Sequence, residues 1–463
     1  MSNNEINTNF LFKTKYVRLI DFFVSNSSDE FYVNEILDAV EISPQALCQS
    51  LKELESLGIL LSEKKANALY YRLNKKNEVV KILKKVIQPI TYKDAGVNIE
   101  LGDDASKILY NAAKKTFENR KGNIGEIIIP FDDFSGVRAI DIGGLPKDSL
   151  MCTSFDGVGT KVEIAQRMNK HDTLAFDLLA MVCDDAIVRG AEPVLVGSVL
   201  DVNSLGDDKD SNLPQLKELA KGYITAAKDA NVAVVNGELA ELGNAIGGHG
   251  KFKYNWCASI VWFANKKKLF TGKEIKTGDS IVVLQEKGFR ANGLSLVRKV
   301  FKNEFGDNWH NKELKGDKLG NLALIPSTIY SKAVVHMHGG FKTAGCCKIH
   351  GVAHITGGGM PGKLGRVLKP NNLGAELNNL FEPGKAMQYC QELGKIEDKE
   401  AYKTWNMGQG LAIITPEPDK VIEEAKKFGI DAKLAGKIIP EKQIRLKSKG
   451  VFNRDQELIF DIE

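Results

Sequence analysis

The feature that most constrains the fold is an abrupt change in glycine content near residue 92. Of the 43 glycines in the chain, only Gly58 precedes that residue. With so little glycine, the first ninety residues offer few sites for tight turns, and their apolar residues recur at helical spacing. Beyond residue 92, glycines separate β-branched runs from helical runs. At 463 residues the chain also exceeds what one hydrophobic core usually organises. The sequence therefore predicts a small, mainly helical domain followed by a larger α+β part with α/β-type layers.

The small domain is predicted to contain helices and one β-hairpin. Ser43-Pro44 is a helix start signal, and Gly58 is well placed to end the helix that follows. Apolar runs on either side of a polar turn at residues 64–67 predict the hairpin. This order, over residues 33–74, resembles that of winged-helix regulators. We therefore expect a winged-helix-like domain at residues 1–76 and a Lys-rich helical linker at residues 77–90.

The charge of this first region is close to balanced, which bears on its partner. Residues 1–90 contain 12 Lys and Arg and 11 Asp and Glu, whereas a nucleic-acid-binding face is usually more positive. The predicted recognition helix and wing still offer polar side chains for a groove or for phosphates, namely Gln45, Gln49, Ser50, Lys52, Lys64, Lys65 and Asn67. We place a protein-interaction or dimer-packing role slightly ahead of nucleic-acid binding.

The composition argues against a membrane protein and against a secreted one. No apolar run reaches the roughly 20 residues needed to span a bilayer, and residues 1–9 are polar. The seven cysteines contain no C-x-x-C pair, so the sequence predicts neither a zinc site nor a disulfide framework. A cytoplasmic protein without a membrane partner is expected.

The larger part reads as two sets of alternating strands and helices. In the first set, strands are predicted at residues 127–129, 150–154, 194–200, 232–235 and 260–263, and helices at residues 162–168, 174–189 and 215–230. After a polar stretch at residues 266–278, a second set has strands at residues 280–284, 354–356 and 410–415. We therefore expect domains at residues 91–268 and 269–463.

A glycine-containing turn joins a predicted strand to a predicted helix, and it reads Asp156-Gly157-Val158-Gly159-Thr160-Lys161. Its glycines let the backbone approach a phosphate, Asp156 can hold a magnesium ion, and Thr160 and Lys161 add a hydroxyl and a cation. The spacing is neither that of a P-loop nor that of a dinucleotide-binding turn. Taken alone, the motif fits a tight turn without a ligand equally well.

Two further pairs of acids are candidates for the same site. Asp184 and Asp185 stand in an otherwise apolar predicted helix, where adjacent carboxylates are costly unless they are paired or bound to a metal. Glu238 and Glu241 follow an apolar strand, and acids past a strand end commonly face a site. The alternatives are a solvated helix face for the aspartates and a helix N-terminus for the glutamates.

These motifs occur together in the order and spacing of a known family, from residue 92 to about residue 439. The matching runs are Tyr92-Lys93-Asp94-Ala95-Gly96-Val97-Asn98-Ile99, residues 156–161, His171-Asp172-Thr173, Gly190-Ala191-Glu192-Pro193, Asn292-Gly293, Ala353-His354-Ile355-Thr356-Gly357-Gly358-Gly359 and Thr404-Trp405-Asn406-Met407-Gly408. As a set they resemble the aminoimidazole ribonucleotide synthetase family, also called phosphoribosylformylglycinamidine cyclo-ligase.

The resemblance implies a two-domain, ATP-dependent ligase of purine synthesis. Family members close formylglycinamidine ribonucleotide to aminoimidazole ribonucleotide by phosphorylating the formyl oxygen, which then leaves as phosphate. The implied cofactors are ATP and Mg²⁺. The implied partners are a small nucleotide substrate and a second copy of the chain, because the first domain of the family dimerises through its sheet.

The resemblance also implies roles for individual residues. The metal ligands would be Asp156, Asp185 and Glu238. The residues near ATP would be Lys93, on a mobile loop over the triphosphate, and Gly157, Gly159, Thr160, Lys161 and Asn292. The substrate would contact Glu241, Gly357, Gly358 and Gly359. The catalytic residues would be Lys93, Asp156, Lys161 and His249, and His354 is a second candidate histidine. For each of these two histidines a structural role is at least as good as an acid–base role.

Several positions on the substrate side depart from the family pattern. The usual Met-Pro-Gly-Met-Tyr run is Leu242-Gly243-Asn244-Ala245-Ile246, an acid is replaced by Asn255, and Arg290 and Gln409 replace other usual residues. These changes leave open a related ATP-dependent synthetase or kinase with another substrate. A winged-helix regulator with a nucleotide-sensing domain is the remaining alternative, although the presence of Asp156, Asp185 and Lys93 favours an enzyme.

Overall fold

The computed structural model describes residues 14–65, 67–87, 92, 97–128, 138–207 and 209–462. The chain forms two compact units, Met1–Gly96 and Val97–Glu463. Within the described residues, no helix has the length and apolar character that crossing a bilayer requires.

The first unit packs helices against a three-stranded sheet. Its helices are α1 (Thr14–Ser25), α2 (Val33–Ala39), α3 (Pro44–Ser56) and α4 (Glu78–Ile87). Its strands are β1 (Glu30–Tyr32), β2 (Leu60–Lys65) and β3 (Ala68–Leu73), in the antiparallel order β1-β3-β2. Leu19, Phe23, Leu47, Leu51 and Leu54 are fully buried in its core. Gly58 follows the end of α3 with a φ of +67°, a conformation that favours glycine.

The order of elements in this unit confirms the predicted helices and hairpin, but two details differ. Helix α4, which was predicted as a linker, packs on the unit, since Val80 lies in its core and Leu83 contacts that core. Ser50 is fully buried and is therefore not available to a nucleic-acid groove, whereas Gln45 and Lys52 are exposed. The winged-helix assignment and its partner remain predictions.

A four-stranded sheet organises the first part of the second unit. The helices are α5 (Ile99–Thr116), α6 (Lys161–Met168), α7 (Leu174–Ile187) and α8 (Leu213–Ala230). The strands are β4 (Ile127–Ile128), β5 (Ala139–Ile140), β6 (Ser149–Gly157), β7 (Glu192–Val202), β8 (Ala233–Glu241) and β9 (Tyr254–Asn265). The sheet has the order β6-β9-β7-β8, in which only the β7–β8 pair is parallel. Helices α5, α7 and α8 share a core with one face of it, where Trp256 and Ile260 are buried.

The opposite face of this sheet is open and apolar. Met151 is 66% exposed, Phe155 is 75% exposed and Val199 is 43% exposed. The strand register places these three side chains on the same face, because Phe155 is level with Ser259 and Val199 with Cys257. Large apolar side chains left uncovered on one sheet face are typical of an interaction surface.

A seven-stranded sheet organises the second part of this unit. The helices are α9 (Leu294–Phe305), α10 (Leu319–Ala323), α11 (Ser331–His338), α12 (Gly359–Leu368), α13 (Lys385–Leu393), α14 (Asp398–Thr404) and α15 (Pro418–Lys427). The strands are β10 (Ser280–Gln285), β11 (Glu313–Leu314), β12 (Asp317–Lys318), β13 (Gly351–His354), β14 (Gly374–Leu377), β15 (Gln409–Thr415), β16 (Ala432–Ile439), β17 (Gln443–Lys447) and β18 (Glu457–Asp461). The sheet order is β13-β15-β10-β16-β14-β17-β18, with β14 and β17 parallel and the other pairs antiparallel.

The two parts of the second unit share one hydrophobic core. Its largest cluster contains Leu178 and Trp256 from the first part and Val283 and Leu364 from the second. The junction predicted at residues 268–269 therefore lies inside one compact unit, and the division into two domains stays a prediction from the sequence.

Two buried histidines predict a loss of stability in mild acid. Burial lowers the pKa of His171 and of His338 to about 4, while an unfolded histidine has a pKa of about 6.5. The unfolded chain therefore binds protons first as the pH falls. The contribution of these two histidines to the free energy of unfolding should be constant above about pH 6.5 and should fall between about pH 6.5 and 4 by up to roughly 3 kcal/mol per histidine. Urea unfolding across this range measures the decline. A His171→Gln variant should decline less steeply, and an unchanged slope would assign the acid sensitivity to other groups.

Candidate active site

The glycine-containing turn lies where β6 ends and α6 begins. The carboxylate of Asp156 accepts a hydrogen bond from the N–H of Gly157 at 2.7 Å. A Cβ on Gly157 would lie 3.1 Å from the Sγ of Cys257, and Gly159 has a φ of +64°. Thr160 is exposed, beside the start of α6. A close contact therefore favours glycine at position 157 and the positive φ favours it at position 159, and the turn leaves Asp156 and Thr160 close to the end of the strand.

Lys161, the last residue of the motif, points into the protein. Its ammonium group is fully buried, 2.6 Å from a carboxylate oxygen of Asp177, and it donates to the backbone carbonyl of Ile325 at 2.7 Å. The expectation that Lys161 lies near the phosphates does not agree with this geometry. A buried counter-charge holds the ammonium group, so Lys161 ties the start of α6 to the segment before α11.

The adjacent aspartates of α7 have different environments. Asp184 is fully buried and accepts hydrogen bonds from the backbone N–H groups of Tyr330 (3.0 Å) and Ser331 (2.9 Å) and from Arg290 (3.0 Å). Asp185 is 43% exposed and accepts a hydrogen bond from Nδ1 of His354 at 2.7 Å. Both carboxylate oxygens of Asp184 thus accept hydrogen bonds from within the protein, whereas the partly exposed carboxylate of Asp185 can still bind a ligand.

His354, at the end of β13, holds Asp185 through a defined tautomer. Its Nε2 lies 2.7 Å from Nη2 of Arg290. Because a guanidinium group only donates, Nε2 must accept, and the ring proton is on Nδ1, which donates to Asp185. Burial and the charge of Arg290 lower the pKa of His354 to about 4, so the ring is neutral near pH 7. This arrangement supports a positioning role for His354.

Arg290, one of the departures from the family pattern, is buried in the centre of this network. It donates to Glu286 (2.8 Å) and to the carbonyl of Thr328 (2.9 Å), in addition to Asp184 and His354. Its backbone has a φ of +57°, which is uncommon for a residue other than glycine. Burial alone would lower the pKa of the guanidinium group, but Glu286 and Asp184 raise it above its ordinary value. Arg290 therefore organises buried carboxylates and does not belong to an exposed substrate surface.

Lys363, which the sequence did not single out, interacts with the two candidate metal ligands. It is half-buried on α12 and interacts electrostatically with both Asp156 and Asp185. Burial and the charge of Asp185 raise the pKa of Asp156, while Lys363 opposes this shift. Burial would raise the pKa of Asp185, but His354 and Lys363 lower it below its ordinary value. Asp156, Asp185 and Lys363 are therefore near enough to influence one another electrostatically, and we call these three residues the carboxylate–lysine cluster.

The glycine-rich segment at the start of α12 lies in the same region. Gly358 and Gly359 have φ values of +93° and +59°, and a Cβ on Gly359 would lie 1.8 Å from a backbone oxygen of Tyr402. Asn292 lies beside the segment, since its Nδ2 is 3.6 Å from a Cβ placed on Gly357. The buried Oδ1 of Asn292 has no hydrogen-bond partner among the described residues. An unpaired amide oxygen beside a glycine-rich helix start suits a polar ligand.

Glu238 and Glu241 lie apart from this cluster. The register aligns Asp156 with Gly237 across the sheet, so Asp156 and Glu238 are on opposite edge strands and on opposite faces. Three strand spacings correspond to roughly 14 Å, which is too far for one shared ion. The prediction that Glu238 joins Asp156 at a metal does not agree with the geometry of a single chain. Glu241 accepts a hydrogen bond from the N–H of Leu205 at 2.6 Å, which orders a loop.

His249 belongs to a different group of side chains. Its backbone N–H donates to Gln166 at 2.8 Å, and its ring lies 6.1 Å from the ring of His310. Burial and the charge of Arg167 lower its pKa. A catalytic role for His249 stays a prediction. Lys93 and its loop lie outside the described residues.

The arrangement as a whole has the chemistry of a magnesium–phosphate site. Carboxylate oxygens such as those of Asp156 and Asp185 are the ligands that magnesium prefers, and their interaction with one lysine shows that they lie in one region. A lysine and glycine backbone groups can bind phosphate oxygens. Sequence reasoning missed Lys363, although its position one turn into a helix that opens with Gly357-Gly358-Gly359 could have identified it.

Comparisons with known proteins agree with this description. Residues 137–257 match the N-terminal domain of AIR synthase related protein, and residues 276–449 match its C-terminal domain. Phosphoribosylformylglycinamidine cyclo-ligase from Thermoanaerobacter sp. (strain X514) is 35% identical over 355 residues, which are 76% of this chain and 98% of that protein. The protein of the same name from Methanocaldococcus jannaschii is 33% identical over 357 residues, which are 77% of this chain and 94% of that protein.

A solved structure shows the same fold at low sequence identity. Thiamine-monophosphate kinase from Stenotrophomonas maltophilia K279a superposes with a TM-score of 0.52 over 75% of this chain and 96% of that chain, at 12% identity. The mixed helix and sheet architecture predicted from the sequence is thereby confirmed. With two domain matches over most of its length and relatives above 30% identity, the chain belongs to the phosphoribosylformylglycinamidine cyclo-ligase family of AIR synthase related proteins.

Proposed function

We propose that this protein is a cytoplasmic enzyme that uses ATP and Mg²⁺ to close formylglycinamidine ribonucleotide to aminoimidazole ribonucleotide. The observation that carries the proposal is the carboxylate–lysine cluster of Asp156, Asp185 and Lys363. It is supported by 35% identity to a named cyclo-ligase over nearly the whole of that relative.

The chemical difficulty of the reaction is its leaving group. The formyl oxygen is bound as in an amide and leaves poorly. Transfer of the γ-phosphoryl group of ATP to that oxygen releases ADP and makes phosphate the leaving group. An internal nitrogen then attacks the formyl carbon, the ring closes and phosphate departs. Enzymes accelerate such phosphoryl transfers mainly by alignment and by stabilising charge.

The residues of the site match these needs. Asp156 and Asp185 would hold Mg²⁺, which when bound neutralises charge on the phosphoryl oxygens. Lys363 would contact a phosphate oxygen from the side of α12. The glycine segment and the unpaired amide oxygen of Asn292 would bind polar groups of the substrates. His354 keeps the carboxylate of Asp185 in its orientation.

The direct test is ATP turnover by the full chain. Release of ADP and phosphate should require formylglycinamidine ribonucleotide and should be matched by formation of aminoimidazole ribonucleotide, measured by mass spectrometry. Turnover that responds to another amide or acyl acceptor, and not to this nucleotide, would support the alternative of a related synthetase or kinase.

Replacing Lys363 by glutamine should lower kcat/KM for ATP by about 10- to 100-fold, because a charge-assisted contact to the phosphates is lost. Lys369 is exposed directly after α12, so Lys369→Gln is the matched control and should leave the rate unchanged. Steady-state assays of both variants measure the difference. Equal rates for Lys363→Gln and the control would remove Lys363 from the site.

The open face of the four-stranded sheet favours a homodimer as part of this proposal. Met151, Phe155 and Val199 form an apolar surface there. The register also puts Glu238 on that face, so a second copy is the neighbour that its carboxylate would meet. This surface fits the family's dimerisation through the sheet of the first domain.

Phe155→Asp should weaken the dimer by at least about 100-fold, because burying a charge in the centre of an apolar interface is costly. Phe452 is 44% exposed in the second part of the unit, and Phe452→Asp serves as the control. Sedimentation at micromolar concentration should show a monomer for the first variant and a dimer for the second. Two variants with the same mass would exclude this face as the interface.

A further inference from the structure

A second cluster of reactive side chains lies outside the proposed active site. It contains His336 on α11, Cys346 on the loop that follows and Glu424 on α15. Their nitrogen, sulfur and oxygen atoms all lie within 4.8 Å of one another, and Nε2 of His336 is 3.0 Å from Oε2 of Glu424. Among the described residues, this group alone places three His, Cys, Asp or Glu side chains so close together.

Cys347 lies beside this group of three and is a candidate fourth donor through its contact with Cys346. Its Sγ lies 3.8 Å from the Sγ of Cys346, and both thiols are free. Two sulfurs bound to one tetrahedral zinc ion, at about 2.3 Å each, lie about 3.8 Å apart. The two thiols therefore already have the separation that a zinc ion requires.

The donor set distinguishes this cluster from a magnesium site. Nitrogen, sulfur and one carboxylate oxygen are the ligands of zinc, whereas magnesium prefers oxygen alone. Glu424 is almost buried and Cys347 is buried, while the side chain of His336 is 48% exposed. An ion could enter past His336 and would then be shielded by the other ligands. Lys427 is 2.7 Å from Oε1 of Glu424, which leaves Oε2 directed at His336.

The loop that carries the cysteines is held close to its neighbours. A Cβ on Gly345 would lie 2.2 Å from the carbonyl oxygen of Met337, and the N–H of Cys347 donates to that same oxygen at 3.0 Å. The ammonium group of Lys268 donates to the carbonyls of His338 and Thr343 at the two ends of the turn. The thiols are thus placed by backbone contacts, which lowers the cost of assembling a metal site.

We propose that His336, Cys346, Cys347 and Glu424 bind one zinc ion that links α11, its following loop and α15. The site is structural in kind, since its four protein ligands leave no open position. It is independent of the proposed function, because none of its residues belongs to the carboxylate–lysine cluster.

The test is binding of Zn²⁺ and of Co²⁺ to the reduced full chain. We expect one zinc per chain after gel filtration, a higher thermal midpoint with zinc, and a cobalt complex with tetrahedral d–d bands and a thiolate charge-transfer band. Cys346→Ser and His336→Gln should each weaken zinc binding at least tenfold. His336→Gln is the safer variant for folding, because that side chain is partly exposed.

The controls separate this site from other ways of binding zinc. Cys48→Ser changes an exposed free thiol elsewhere in the chain and should bind zinc as the parent does. Cys347→Ser should reduce the charge-transfer intensity, and an unchanged band would remove Cys347 from the site. Zinc that is lost in Asp156→Asn, and retained in Cys346→Ser and His336→Gln, would place the ion in the proposed active site and overturn the inference. An octahedral cobalt spectrum without a thiolate band would do the same.

Discussion

Asp185→Asn should lower kcat/KM of the ATP-dependent cyclisation by on the order of 10²–10⁴ while the protein stays folded. The carboxylate is 43% exposed and lies with Lys363 and Asp156, where the proposal places Mg²⁺ and the phosphates. Asparagine keeps an oxygen that accepts the hydrogen bond from His354 but removes the charge. Asp156→Asn should have an effect of similar size for the same reason.

The neighbouring residue provides a contrast within the same helix. Asp184→Asn removes a buried partner of Arg290, so it should chiefly lower the free energy of unfolding. Asp104→Asn, on an exposed part of α5, should change neither quantity. Steady-state rates and urea unfolding of the four variants measure both effects. Near-parental rates in both Asp156→Asn and Asp185→Asn would dismiss the proposed metal site.

The order of the elements could be predicted from local patterns, but their extents could not. The helix predicted at residues 174–189 is α7 (Leu174–Ile187), because its apolar character and its end are local properties. By contrast, a strand predicted at residues 260–263 is part of β9 (Tyr254–Asn265). Its remaining residues are strand because β6 and β7 pair with them, and that pairing is not encoded in any short window.

The same distinction explains which site residues could be predicted. Asp156, Asn292 and the glycines at residues 357–359 lie at element ends, where residue type and position are visible in the sequence. The side chain of Lys161 points into the protein because it pairs with Asp177. That residue is distant in the sequence but adjacent in the fold, so the sequence motif does not reveal the pairing. The separation of Glu238 from Asp156, which prevents the two from sharing one ion within a single chain, depends on the register of four strands.

The zinc candidate shows the limit of motif reasoning most directly. The absence of a C-x-x-C pair led to the expectation of no zinc site. The cluster instead draws on residues 336, 346 and 424, with residue 347 beside residue 346, and these lie on two helices and a loop. Only packing of α15 beside α11 brings Glu424 to His336. Spacing in the sequence carries no information about such a site.

Arg290→Met should lower the free energy of unfolding by about 3–5 kcal/mol, because it leaves Glu286 and Asp184 as buried carboxylates without their cation. Methionine is similar in length and is likewise disfavoured at a φ of +57°, so backbone strain contributes little to the difference. The matched control is Arg454→Met. Arg454 also lies 2.7 Å from a carboxylate, that of Glu382, but both side chains are 49% exposed, and an exposed pair contributes less than about 1 kcal/mol. Urea unfolding at neutral pH compares the two variants. Equal losses of unfolding free energy in the two variants would show that Arg290 does not stabilise the buried carboxylates. Other contacts would then have to hold the residues around Asp185 in place.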